Sequence, residues 1–227
     1  MENLPTYISI VFGLITITTV LLFYRATQHS KLTLIILFAW LALQTLISLT
    51  GFYTVNNSLP PRIALLGFPA LLCIILLFAT SRGRKYIDQL DPGKLTILHT
   101  IRVVVELVLL MLFMHKAVPQ LMTFEGRNFD ILSGLSAPLI YYFGFVKKSL
   151  GKPVILIWNF ICLGLLFNIV INAVLSVPTP LQQFAFDQPN IAILYFPFVW
   201  LPCCVVPIVL LSHLAVIRQL VVRKKVA

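Results

Sequence analysis

The sequence predicts an all-α fold, a polytopic membrane bundle of seven transmembrane helices, on three observations. Hydrophobic residues make up 59% of the chain and the mean hydropathy is +0.99, whereas only 11% of the residues are charged. Soluble domains carry roughly 25% charged residues. The apolar residues fall into runs long enough to cross a bilayer, and most basic residues lie between these runs. We therefore expect a single transmembrane domain over residues 1–227.

Seven apolar runs mark the predicted helices in order along the chain. They cover residues 7–24, 32–53, 63–80, 95–114, 131–146, 153–177 and 191–217. A membrane-spanning helix needs about 20 apolar residues, so the fifth run is short and the seventh is long. The seventh also contains Pro197, Pro202 and Pro207, which predict a kinked or partly broken helix.

The distribution of lysine and arginine predicts the orientation. Thirteen of these residues follow the first, third, fifth and seventh runs: Arg25, Lys31, Arg82, Arg84, Lys85, Lys94, Lys147, Lys148, Lys152, Arg218, Arg223, Lys224 and Lys225. Only Arg62, Lys116 and Arg127 lie in the opposite connections. Because cytoplasmic loops carry the excess of basic residues, we expect the N-terminus outside and the C-terminus in the cytoplasm. The expected location is the cell membrane.

A weak internal repeat accompanies this topology. Gly13 and Lys31 recur 121 residues later as Gly134 and Lys152. The first three and last three helices would then run in the same directions, with the fourth helix unpaired. The sequence thus allows a 3+1+3 architecture, with chance recurrence as the alternative.

The fourth run contains the strongest candidate site, with His99, Arg102 and Glu106 on one face of the predicted helix. Arg102 and Glu106 lie in apolar sequence, where an ionised group is costly and usually faces the bundle interior. One interpretation is an Arg102–Glu106 ion pair that holds helices together. The other is a site that binds a polar ligand or carries a proton. His99, and His213 near the end of the seventh run, are expected at the membrane surface.

Three polar side chains in other runs could complete this site. They are Gln44 in the second run and Asn168 and Asn172, one turn apart, in the sixth. Hydrogen bonding between helices is one interpretation of these residues. The other is a polar pocket that they close together with Arg102 and Glu106.

The longest predicted outer connection, residues 115–130, holds His115, Glu125, Arg127 and Asp130. It is expected to be either a solvated loop or a lid that contacts a substrate. The acids and the histidine match no metal-ligand spacing, so no metal site is predicted. Asp130 directly precedes the fifth run and is a candidate N-cap.

Motifs for several activities are absent from the sequence, which contains no HExxH, no Gly-x-Ser-x-Gly and no P-loop. We therefore expect no cofactor, and an enzyme is the less favoured class. The buried charges and the prolines favour a transporter of a small molecule, which could be proton-coupled. A non-catalytic receptor, sensor or assembly factor is the alternative, and a membrane-embedded enzyme acting on a lipid or isoprenoid is the second. The expected partners are the lipid bilayer and a small-molecule or lipid ligand, with no nucleic acid.

Overall fold

The computed structural model describes residues 4–55, 58 and 60–222, and this part of the chain contains nine α-helices and no strand. The helices are α1 (Thr6–Ala26), α2 (Lys31–Leu49), α3 (Ala64–Ala79), α4 (Ser81–Gln89), α5 (Pro92–Leu98), α6 (Ile101–Met114), α7 (Ile131–Tyr141), α8 (Lys152–Leu175) and α9 (Val206–Val222). Two π-helical turns, Tyr142–Val146 and Leu201–Val205, extend α7 and precede α9. Three of the basic residues named above, Arg223, Lys224 and Lys225, lie outside the described residues.

Five helical segments of the described chain are long and apolar enough to cross a membrane. They are α1, α2, α8, the segment Pro92–Met114 in which α6 continues α5, and the segment Leu201–Val222 that ends in α9. α3 would be a sixth only together with α4, from which it is bent by 96°. α7 with its π turn, Ile131–Val146, is shorter. The fold is therefore an all-α apolar bundle with five or six candidate membrane-spanning segments, and seven crossings stay a prediction.

The outer surface of the bundle is apolar. Leu32, Ile35 and Leu46 on α2 and Phe68 on α3 each expose 60% or more of their surface. Soluble proteins rarely expose a continuous apolar face of this kind, so a bilayer is the environment that this surface fits. The interior is one large cluster of buried apolar side chains to which α1, α5, α6 and α9 contribute.

α4 lies nearly perpendicular to α3 because the chain turns sharply at Thr80. The backbone of Thr80 is extended, and its hydroxyl accepts a hydrogen bond of 3.1 Å from Gly83 N, which caps α4. Glycine is required at position 83 because a Cβ there would lie 2.4 Å from the carbonyl oxygen of Leu77. The hydropathy of the sequence does not predict α4, whose residues are mostly polar.

Polar contacts of α4 hold one end of the bundle together. Asp88 of α4 forms a salt bridge of 2.9 Å with Arg218 of α9. Gln28, in the connection between α1 and α2, donates a hydrogen bond of 2.9 Å to the carbonyl oxygen of Gln89. The α1–α2 connection, α4 and the last turns of α9 therefore lie on the same side of the molecule.

The last predicted helix is broken, as its prolines indicated. Its α-helical part begins only at Val206, after the π turn Leu201–Val205. Pro207 has no N–H for the carbonyl of Cys203, four residues earlier. The indole Nε1 of Trp40 on α2 donates to that carbonyl oxygen at 2.9 Å. α2 thus supplies a hydrogen bond that the proline removes.

Candidate functional site

A set of buried polar side chains, none more than 6% exposed, lies where α6, α7, α8 and α9 meet. We call it the Arg102 cluster: His99, Arg102, Glu106, Asn128, Asp130, Asn159 and His213. The Pro92–Met114 span is distorted beside it, because the amides of His99 and Thr100 donate to carbonyls three residues back at 3.2 and 3.1 Å. A tight 3₁₀ stretch inside a helix often marks a functional hinge. At 1.5 Å per residue, Arg102 lies about 15 Å from one end of the span and about 18 Å from the other.

Arg102 forms a buried salt bridge with Asp130, the residue before α7. Its Nε donates to Oδ2 at 2.5 Å and its Nη2 donates to Oδ1, so the pairing is bidentate. Nη1 lies 2.9 Å from Nε2 of His213, and Nη2 also donates to the carbonyl oxygen of Cys162 at 3.3 Å. The alternative of an Arg102–Glu106 ion pair is therefore wrong, because Asp130 takes the place beside the guanidinium.

The connection between α6 and α7 descends into the bundle. The Asp130 carboxylate contacts Arg102, and Gly134, one turn into α7, lies against the backbone of Val103, so α7 begins well inside the span and not at the end of α6. Thr123, Asn128 and Asp130 are 0, 0 and 6% exposed. Irregular backbone at membrane depth is tolerated where protein buries it. This part of the connection is therefore neither a solvated loop nor a lid over the bundle.

Asp130 occupies the N-cap position of α7, but its side chain makes no capping hydrogen bond. The predicted capping role is wrong because both carboxylate oxygens bind Arg102. Gly134, one turn into α7, lets α7 approach α6 closely, because a Cβ at position 134 would lie 2.8 Å from the amide nitrogen of Val103 on α6. This approach holds the start of α7 beside Arg102.

Glu106 is held by an amide, not by a cation. Its Oε1 accepts a hydrogen bond of 2.6 Å from Nδ2 of Asn128. Its Oε2 has no hydrogen-bond partner among the described residues, and no salt bridge of Glu106 occurs there either. Asn128 also accepts a hydrogen bond of 3.0 Å from the amide of Asp130, so it links the two acids. The cluster thus contains two carboxyl groups and one guanidinium, and the guanidinium pairs with Asp130 and not with Glu106.

His99 and His213 stack face to face inside the cluster. Their ring centroids are 3.8 Å apart and the ring planes differ by 13°. Trp158 on α8 packs against both, with ring centroids 5.7 and 5.8 Å away. Both histidines are 0% exposed within the bundle, so the expectation that they lie at the membrane surface is wrong. Neither ring nitrogen of His99 has a hydrogen-bond partner in the described part of the chain.

The partners of His213 define its protonation state. Nδ1 lies 2.9 Å from Oδ1 of Asn159, and the amide nitrogen of Asn159 donates to Ile155 O at 2.9 Å, which fixes the orientation of that amide. Nε2 faces a guanidinium nitrogen of Arg102, which can only donate. One acceptor and one donor around the ring define a neutral imidazole with its proton on Nδ1.

Gln44 does not belong to the Arg102 cluster. Pro69 lies inside α3 and has no N–H for the carbonyl of Leu65, and Nε2 of Gln44 donates to that oxygen at 3.4 Å. Oε1 of Gln44 accepts a hydrogen bond of 2.5 Å from the hydroxyl of Tyr53. Gln44 therefore joins α2 to α3, in agreement with the interpretation as hydrogen bonding between helices.

Asn168 and Asn172 also lie apart from Arg102. Asn168 is exposed and donates to the carbonyl oxygen of Arg127 at 2.8 Å. Asn172 donates to Oδ1 of Asn168 at 3.3 Å. The two asparagines hold the α6–α7 connection against α8, and the predicted pocket of Gln44, Asn168 and Asn172 around Arg102 does not form.

The other candidates in the α6–α7 connection face outward. His115, Glu125 and Arg127 are exposed, and Nδ1 of His115 lies 2.8 Å from the carbonyl oxygen of Met111. Within the described residues, no three His, Cys, Asp or Glu side chains gather so that they could hold a metal ion. Of the four candidates in this connection, only Asp130 enters the cluster.

Asn128 and Asn159 are cluster residues that the sequence does not single out as site residues. Asn159 lies inside an apolar run, where a polar side chain requires a hydrogen-bond partner, so its position carried a usable signal. Asn128 lies in a connection of mixed composition, and no local pattern indicates that it is buried. Its role follows from the descent of the chain toward Glu106.

The helices and the cluster together define a class: an apolar helical bundle suited to a membrane, with a charged site in its interior. The chain belongs to a family described as a domain of unknown function (DUF8737), whose model matches residues 59–221. The match runs from before α3 to the last turn of α9 and includes every residue of the Arg102 cluster. No curated protein and no solved structure matches the chain.

Proposed function

We propose that this protein is a small transporter that moves a polar solute, coupled to a proton, by way of the Arg102 cluster. The observation that carries the proposal is the state of Glu106, a carboxyl near the middle of a membrane span with one oxygen unpartnered and no salt bridge among the described residues. Ionisable residues inside membrane spans are costly and commonly mark substrate or proton pathways. An unpartnered buried polar atom points in the same direction.

The cluster contains a salt-bridged pair, whose charges satisfy each other, and a separate carboxyl group, Glu106, whose protonation can change. Arg102 and Asp130 satisfy each other and hold α6 against the start of α7. Glu106 can gain or lose a proton at Oε2 without breaking that pair. The polar solute would replace the missing partners at Oε2 of Glu106 and at the imidazole of His99, both of which face the interior.

Seven crossings, an outer N-terminus, a cytoplasmic C-terminus and insertion in the cell membrane complete the proposal, with the 3+1+3 plan as its architecture. In support, the α1–α2 connection, α4 and the end of α9 share one side of the molecule, and these segments carry many of the basic residues. The bent pair α3–α4 would be the third crossing, and Ile131–Val146 the fifth.

Native mass spectrometry of gently purified protein tests the proposal. Wild type is compared with Glu106→Gln and with Glu125→Gln, which removes an exposed carboxyl from the same connection that enters the cluster. We expect a small polar molecule to be retained by wild type and by Glu125→Gln and lost from Glu106→Gln. Adding that molecule to proteoliposomes should then move protons, as a trapped pH dye would report, in wild type and in Glu125→Gln but not in Glu106→Gln.

A non-catalytic receptor or assembly factor is the second candidate, and one observation favours it. Every nitrogen of the Arg102 guanidinium already has a protein partner, as a purely structural ion pair would have. If no small molecule is retained by any variant and Glu106→Gln only unfolds more readily, the transporter proposal fails. A stable protein partner recovered with the wild type would then support the second candidate.

A further inference from the structure

An apolar groove lies between α2 and α3, away from the Arg102 cluster. It consists of two cavities of about 230 and 460 Å³, and Trp40 and Pro69 line both. The larger lies toward Thr50 at the end of α2, and the smaller lies toward Leu77 at the end of α3. The lining of the groove is almost entirely apolar, so hydrocarbon and not water fits inside it.

The floor of the smaller cavity is the π turn before α9. Cys203 and Cys204 line it there, and Cys73 of α3 is exposed along its wall. α2 approaches this floor through the hydrogen bond from Trp40 to the carbonyl of Cys203. The groove is therefore bordered by α2 and the segment Leu201–Val222, both long and apolar enough to cross the membrane, and it opens on the surface that lipid would cover.

α4 lies next to the end of α3 that borders the smaller cavity. It starts directly after α3, and Arg84 of α4 donates to the carbonyl oxygens of Phe78 and Ala79 at 3.2 and 2.9 Å. Farther along α4, the hydroxyl of Tyr86 lies 3.1 Å from Oγ1 of Thr33 on α2. α4 therefore bridges the end of α3 and the start of α2, the two helices that form the groove.

The same end of the groove carries positive charge. Lys31, Arg82 and Lys85 are exposed there, and we call these three residues the basic patch. Lys31 lies two residues before Thr33, which contacts α4, and Arg82 and Lys85 share one face of α4. The acidic residue of α4, Asp88, is in a salt bridge with Arg218 and does not neutralise the patch.

We propose that the groove and the basic patch together bind one anionic phospholipid. One acyl chain occupies the smaller cavity, and the headgroup phosphate lies against Lys31, Arg82 and Lys85. The apolar lining selects a hydrocarbon chain, and the basic patch selects a negatively charged headgroup. α4 lies across the ends of the membrane spans, which is the level of the lipid headgroups. This site is independent of the transport proposal, because it shares no residue with the Arg102 cluster.

The test is competition between two lipids that differ only in the headgroup. Wild type is reconstituted in nanodiscs with equal amounts of phosphatidylglycerol and phosphatidylcholine of the same acyl chains, and retained lipid is weighed by native mass spectrometry. We expect wild type to keep one phosphatidylglycerol. The double variant Arg82→Gln/Lys85→Gln should lose this preference, with affinity for phosphatidylglycerol falling roughly fivefold per charge removed.

Two further variants separate the parts of the site. Lys147→Gln/Lys152→Gln removes two exposed charges, one after α7 and one at the start of α8, and should retain the preference of wild type for phosphatidylglycerol. Cys73→Trp places a large side chain in the smaller cavity and should reduce retention of both lipids. The lipid that is still retained should keep the preference for the phosphatidylglycerol headgroup. Equal retention of the two lipids by wild type would overturn the proposal. The proposal would also be overturned if the Lys147/Lys152 control lost as much of the preference for phosphatidylglycerol as the patch variant. That result would show an effect of net charge alone.

Discussion

Replacing Asp130 with asparagine is expected to destabilise the protein by about 3–5 kcal/mol. The structure leaves Arg102 3% exposed, with two of its hydrogen bonds directed at the Asp130 carboxylate. The variant would keep the size of the side chain but remove the counter-charge of a buried guanidinium. A double variant, Arg102→Met/Asp130→Leu, removes both charges and should recover most of the loss, because no unpaired ion stays buried.

The assay is reversible unfolding in mixed micelles as the fraction of sodium dodecyl sulfate is raised, with the free energy of unfolding compared between variants. Asp91→Asn is the matched control: its salt bridge with Lys94 is about 40% exposed on both side chains, and asparagine preserves the cap of α5. An exposed pair contributes at most about 1 kcal/mol. If Asp130→Asn costs no more than this control, or if the double variant is as unstable as the single one, the buried pairing of Arg102 is refuted.

Two other substitutions and one control, Gly164→Ala, are checked in the same unfolding assay. Gln44→Leu leaves the hydroxyl of Tyr53 and a proline-freed carbonyl without partners and should cost about 1–3 kcal/mol; an unchanged free energy of unfolding would contradict the role of Gln44. Gly134→Ala places a Cβ 2.8 Å from Val103 N and should cost about 1–3 kcal/mol. Gly164→Ala, with nothing within 4 Å of the added carbon, should be neutral or stabilising, and equal losses at the two glycines would exclude close packing as the cause.

The helical architecture could be predicted from the sequence because lipid leaves the backbone few alternatives. Apolar runs at residues 7–24 and 32–53 correspond to α1 (Thr6–Ala26) and α2 (Lys31–Leu49) within a few residues. α4 escaped prediction because its polar residues lie across the ends of the spans, where hydropathy carries no signal. The depth at which α7 begins was likewise unpredictable, since it depends on where the preceding connection packs.

The site was predictable in part. A charged residue in an apolar run is costly whatever surrounds it, so the burial of Arg102 and Glu106 followed from the sequence, and the structure confirms it. The sequence did not predict which residue pairs with Arg102. The nearest acid along the helix is Glu106, whereas Asp130, 28 residues away, becomes a neighbour only because the chain descends into the bundle. His213 was misplaced for the same reason, because hydropathy near a helix end does not distinguish the lipid surface from the bundle interior.

The hydrogen bonds of α2 with carbonyls freed by proline have a consequence for how that helix is oriented. Trp40 and Gln44 are four residues apart, hence on one face of α2, and each donates to a carbonyl that a proline in another helix leaves free. Apolar side chains in lipid gain little from facing one neighbour over another. The rotational setting of α2 is therefore determined in part by Pro69 of α3 and Pro207 of α9, because each proline leaves a carbonyl free to accept a hydrogen bond from α2.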